Sequence, residues 1–123
     1  MSSSSPLSEI VQECDLTAQE IDAALSTNDL EVAKQHIHKA VKAIEDMRYD
    51  LGKLMEREHS YDITMHLDSS LLFFSRALSY VPRINESEGE EAWQYIRAMK
   101  DEVVQAMYHL HDAPEPGGYT DGD

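Results

Sequence analysis

Residues 29–58 read DLEVAKQHIHKAVKAIEDMRYDLGKLMERE, and Leu30, Ala33, Ile37, Val41, Ile44, Met47, Leu51, Leu54 and Met55 recur there every three or four positions. That spacing gathers apolar side chains on one face of a helix turning about 100° per residue. A half-buried strand would need strict alternation of apolar and polar residues, and none appears anywhere in the chain. Asn28, followed at the right distance by Glu31, reads as the N-cap and its partner. Gly52 lowers local helix stability by about 1 kcal/mol relative to alanine, so fraying or a bend is expected there.

Working outward, three more stretches carry the same period. Upstream, Leu7, Ile10, Val11, Cys14, Ala18, Ile21 and Leu25 share a face, and Ser26-Thr27-Asn28 ends it. Downstream, a helix from about Asp62 presents Ile63, Leu67, Leu71, Phe74, Leu78 and Val81, and Pro82 stops it. A last helix follows the turn at Asn85–Gly89 and runs from Glu90 to His111 over Ala92, Ile96, Met99, Val103, Met107 and Leu110. The acids Glu88, Glu90 and Glu91 favour its positive end. Four amphipathic helices joined by short loops predict an all-α fold, an antiparallel four-helix bundle (up-down-up-down) over residues 7–111. Residues 1–6, which are Ser-rich, and 112–123, with Pro114, Pro116, Gly117, Gly118 and Gly122, are expected to be disordered tails.

Composition agrees and narrows the function. With 123 residues the chain suits one domain, and five Gly and four Pro are too few for a turn-rich β or low-complexity class. Asp plus Glu is 24 against 10 Lys plus Arg, a formal charge of −14. Such a surface repels phosphate backbones and anionic lipid, so direct nucleic-acid binding and membrane binding are not expected. The acids occur in every segment, which favours a salt-rich habitat over one basic partner, because screening at about 3 Å in 1 M salt removes self-repulsion. The longest apolar run is Leu71–Phe74, far short of a membrane span, and Met1–Pro6 has no basic start or apolar follow-on of a secretory signal. One cysteine, Cys14, forms no internal disulfide. A cytoplasmic location is expected.

Residues that break the pattern point to contact surfaces. Leu16 lies about 180° from Leu7, among Glu9, Gln12 and Glu20. Met65, Leu72, Phe73 and Tyr80 fall outside the stripe of their own helix. A helix apolar on two faces is either central or at a subunit boundary. These five residues are the candidate interface of a homodimer or of a protein partner.

The chemistry-bearing residues support no catalysis. His36-Ile37-His38 and His109-Leu110-His111 space their imidazoles about 200° apart on a helix, so neither pair chelates alone, and a site would need histidines from different helices. No metal and no cofactor is expected. Cys14 sits on the buried stripe, where a thiol stays protonated, and no serine stands in a nucleophile-elbow sequence. The segment His36-Ile37-His38-Lys39-Ala40 resembles the phosphoacceptor segment of histidine phosphotransfer domains, which implies an acidic four-helix bundle with His36 as phosphoacceptor. Ala40 stands where that family has glycine. His66–Phe73 resembles the final helix of all-α nucleotide pyrophosphohydrolases, whose magnesium acids are missing here, Met65 replacing the later glutamate.

Arg57-Glu58-His59 with the Asp62–Val81 and Glu90–Leu110 helices is similar to uncharacterised small acidic all-helical proteins of halophilic archaea. That resemblance implies a salt-adapted protein and no assigned activity. The expectation is a non-enzymatic interaction or adaptor protein. Its rivals are phosphorelay through His36 and an acidic nucleic-acid mimic, for which Glu45, Asp46, Asp50, Glu56 and Glu58 could begin a ridge.

Overall fold

A computed structural model describes residues 6–114, and among them every regular element is helical: α1 Pro6–Ser26, α2 Leu30–Arg57, α3 Tyr61–Ser79, α4 Val81–Glu86 and α5 Glu90–Asp112. The sequence-expected tails at 1–6 and 112–123 lie mostly outside the described residues. Where they overlap, Pro6 opens α1, and Asp112 closes α5 with Ala113 as its C-cap. Proline is well placed in a first turn, where its missing N–H leaves nothing unpaired.

The start of α2 differs from expectation. Asp29, not Asn28, is the N-cap, its carboxylate accepting from the amides of Glu31 at 3.0 Å and Val32 at 3.4 Å. The two side chains are equivalent in kind, but the aspartate also brings negative charge to the helix's positive end. The helix then continues through Gly52 to Arg57, so it does not fray at the glycine.

At Pro82 the difference is larger. Helix α3 starts after Ser60, whose hydroxyl accepts from the Ile63 amide, and it ends at Ser79. Pro82 sits in the first turn of the separate short helix α4, which takes up Asn85 and Glu86 and buries Ile84 completely. The loop is thereby reduced to Ser87–Gly89. Lys34 of α2 fastens it, its ammonium donating to the carbonyls of Asn85 at 3.3 Å and Ser87 at 3.2 Å. Gly89 then caps α5 with φ +69° and ψ −147°, a backbone state open in practice only to glycine.

One core cluster joins all five helices, with Ile21, Ile44, Phe74, Ile84 and Met99 wholly buried. Helix α1 packs on α2 and α5; α3 packs on α5 and, less extensively, on α2. Two polar side chains enter this core. Thr17 donates to the Glu13 carbonyl at 2.7 Å, and Ser70 shares its hydroxyl between the carbonyls of His66 at 3.0 Å and Ala106 at 3.2 Å. Among the described residues no buried side-chain nitrogen or oxygen lacks a partner, so the polar insertions cost little.

Candidate functional site

The helical turn of α3 decides which apolar misfits face water. Its buried residues Ile63, Leu67, Ser70, Phe74 and Ala77 define the inward direction. At about 100° per residue, Tyr61, Met65 and Leu72 project within about 40° of one another on the opposite side. They are 77%, 43% and 51% exposed. A single face of α3 therefore presents three large side chains to solvent. Tyr61 was not among the sequence candidates because His59-Ser60-Tyr61 reads as a polar link. Its spacing to Met65, one helical turn, was the available signal.

Phe73 and Tyr80, grouped with Met65 and Leu72 by sequence, turn instead toward α5. Phe73 stacks on His109, with ring centroids 5.7 Å apart and planes 17° from parallel, and the Arg76 guanidinium lies over the Phe73 ring at 5.4 Å from its centroid. Tyr80 tilts against Tyr95 at 6.1 Å, and Arg83 donates to the Tyr95 hydroxyl at 3.3 Å. Both are half-buried on the core and belong to the chain's own packing.

Leu16 is 63% exposed on α1. It borders a shallow groove of about 130 Å³ with Glu13, Thr17, Glu20, Lys39, Ala40 and Ala43. The structure does not join Leu16 to the α3 face, since α1 is packed chiefly on α2 and α5.

His36 stands beside the same groove. Its Nδ1 lies 2.5 Å from Oε2 of Glu20, and both side chains are a little under one-third exposed. The contact leaves Nε2 as the ring nitrogen available to a reactant. Ala40, one turn on, is buried, whereas Lys39 is exposed. Two further α1 acids are tied to α5: Asp22 to Lys100 at 2.5 Å and Asp15 to His111 at 3.2 Å.

Cys14 is fully buried near the Val103 carbonyl, and burial, reinforced by the charge of Asp15, pushes its thiol up to about 12. It supplies no thiolate at neutral pH.

Charge is distributed unevenly. Helix α1 has five acids and no Lys or Arg, and α5 has five acids against two cations, but α2 carries six Lys or Arg and five acids. The acids Glu45, Asp46, Asp50 and Glu56 alternate along α2 with Lys42, Arg48, Lys53 and Arg57, and Glu58 stands at its C-cap.

No helix among the described residues is long and apolar enough to cross a membrane. No family model matches the chain, and neither a curated protein nor a solved structure is detectably similar to it.

Proposed function

We propose that this chain is a non-enzymatic helical-bundle protein that acts through protein–protein contact, pairing with a second copy of itself through the outer face of α3. The observation that carries the reading is the exposure of Tyr61, Met65 and Leu72 on one side of a helix whose other side is already buried. Aromatic and Met side chains are what interface centres favour.

The face is complementary to itself. With two α3 helices antiparallel about an axis between Asp68 and Ser69, Met65 meets Leu72 of the partner subunit, and Tyr61 meets Arg76 of the partner subunit. Such a contact is isologous and closes at two copies. An arginine over a tyrosine ring adds about 0.5–1 kcal/mol at an exposed site. The two Asp68 side chains approach near the axis, and each copy carries −14 overall, so pairing strengthens as salt screens the repulsion.

The reading includes an up-down-up-down bundle. In its support, Asp15 pairs with His111 while Asp22 pairs with Lys100, and His66 meets His109 while Ser70 meets Ala106; in both helix pairs the numbering runs oppositely. It also takes the acidity as adaptation to a salt-rich cytoplasm, which the spread of acids over every helix supports.

The test is the molar mass by light scattering, at low salt and in multi-molar KCl. Twice the 14.0 kDa chain mass at high salt, reverting to one chain in Met65→Glu/Leu72→Glu, is the expected result. A folded monomer at every salt defeats the proposal.

A second reading, phosphotransfer at His36, is favoured by one observation: the Glu20 carboxylate orients the ring through Nδ1 and leaves Nε2 for a phosphoryl group. It requires acid-labile phosphate on the chain after incubation with a phosphorylated receiver, lost in His36→Gln. No incorporation ends that reading.

A further inference from the structure

His66 of α3 and His109 of α5 face each other across the seam between their helices. The two Nδ1 atoms lie 3.3 Å apart, the ring centroids 5.6 Å apart with planes tilted by 45°, and both side chains are half-buried. His36 and His111 are placed differently. Each meets a carboxylate, Glu20 and Asp15, and a proton gained there strengthens the pair. Among the described residues neither His66 nor His109 has a carboxylate in contact. Their contact holds a single hydrogen: one ring donates it, and the other accepts it through a bare nitrogen. An imidazolium carries a hydrogen on both nitrogens and has nothing left to accept with. The contact is therefore made with neither ring charged or with one, and never with both.

We infer that the His66–His109 contact is an acid-opened latch between α3 and α5. With both rings charged the hydrogen bond is lost, and two like charges stand in contact where water reaches only part of each ring. The rings separate, and their neighbours follow. Phe73 leaves the face of His109, and the Ser70 hydroxyl, one turn on, gives up the Ala106 carbonyl and keeps that of His66 on its own helix. The seam opens while each helix keeps its own backbone hydrogen bonds. The unfolded chain, its histidines apart, takes up both protons freely, whereas the closed latch takes at most one. In acid the unfolded chain thus holds the extra proton, and stability falls as pH drops below about 6.5, the ordinary imidazole value.

The surrounding charges do not cancel the effect. On α3, Asp62 stands one turn before His66, and Arg76 lies over the Phe73 ring; on α5, Glu102 stands two turns before His109 and Asp112 about one turn after it. Of the elements packed on these two helices, α1 has its Asp15 taken by His111, α2 has Glu58 at its end accepting from the amides of His59 and Ser60, and α4 has Arg83 on the Tyr95 hydroxyl. Asp62, Glu102 and Asp112 act from a helical turn or more away and through solvent, so the repulsion between touching rings is the larger effect. The latch lies within one chain and operates whether or not two copies pair.

Urea unfolding of the full chain, of His66→Gln, of His109→Gln and of the double variant, at pH 7.5 and at pH 5, tests it as a double-mutant cycle. The expected result is a coupling between the two positions that moves toward repulsion at pH 5 by tenfold or more in the unfolding equilibrium constant. The same cycle on the exposed His38 and His59 should show no such change. Circular dichroism verifies that each variant is helical. Because a glutamine at either position also alters the packing beside Phe73, nuclear magnetic resonance of the wild-type chain provides an independent reading. At pH 7.5 the 15N signals of the two Nδ1 atoms should together account for one proton. Once both rings are charged, the Overhauser contacts of His109 with His66 and Phe73 should vanish, while the core signals of Ile21 and Ile44 keep their positions. A coupling that does not change with pH, Nδ1 atoms that share no proton at pH 7.5, or rings that are both charged and still in contact would each overturn the inference.

Discussion

Glu20 of α1 holds Nδ1 of His36 in α2 at 2.5 Å, across the groove that separates the two helices. Each side chain is about 28–29% exposed, so the contact is screened less than a surface pair and more than a core one. Removing either partner, Glu20→Gln or His36→Gln, should lower stability by about 1 kcal/mol, and the double variant by scarcely more. Urea unfolding of the four proteins in a double-mutant cycle measures this; fully additive losses would show that the two groups do not interact.

The two classes of apolar residue on α3 should separate cleanly. Leu72→Glu changes the mass in concentrated salt and leaves the melting temperature of the monomer nearly unchanged, because Leu72 is half exposed. Phe73→Ala does the reverse. It removes the ring stacked on His109 and costs about 2 kcal/mol of monomer stability. Light scattering and thermal melting on the same samples decide between the roles.

Two glycines should respond with opposite sign to alanine. A Cβ at Gly52 meets nothing within 4 Å, so Gly52→Ala should stabilise the chain by about 0.5–1 kcal/mol through helix propensity. Gly89 also has open space around it, but φ +69° excludes an ordinary side chain, and Gly89→Ala should cost about 1–3 kcal/mol. Chemical denaturation of both variants is sufficient; an equal effect of the two would contradict the backbone argument.

Cys14 should be silent toward a thiol reagent in the folded chain at pH 8 and react fully in denaturant. Its thiol is raised from 9.0 to about 12. Between those values the unfolded chain has lost a proton that the folded chain keeps, so this residue's contribution to stability is present below about pH 9 and is lost as pH rises toward 12. Against Cys14→Ala, the native chain should therefore lose stability faster with pH above about 9, by up to about 1.4 kcal/mol per pH unit. Parallel stability curves would show that burial does not hold the proton.

Periodicity located α1, α2, α3 and α5 because each spans several turns, and a stripe of apolar residues over that length has few alternative explanations. Helix α4 escaped it. Six residues do not complete two turns, and Pro82 reads equally as the stop of one helix or the first turn of the next. Asn28 and Asp29 are adjacent residues of nearly equal capping strength, and only the backbone path selects the second. The separation of Met65 and Leu72 from Phe73 and Tyr80 was present as an angle on the helical wheel. Which angle faces water, however, depends on where α5 lies, and a single helix does not carry that information. The partners of His36 and His66 are likewise 16 and 43 positions away, beyond the reach of local spacing.

The uneven placement of charge has a mechanical consequence. Helix α1 holds five acids and no Lys or Arg, whereas α2 nearly balances its six cations with five acids. Beyond its net repulsion, the molecule therefore behaves as an electric dipole lying across the bundle. A field acts on it first as a torque, and at low ionic strength, where screening reaches about 30 Å, that torque operates before contact. A cationic surface would turn the bundle to present α1 and leave α2 facing solvent, and multi-molar salt would erase the preference. Orientation, as much as attraction, is what the surrounding salt controls.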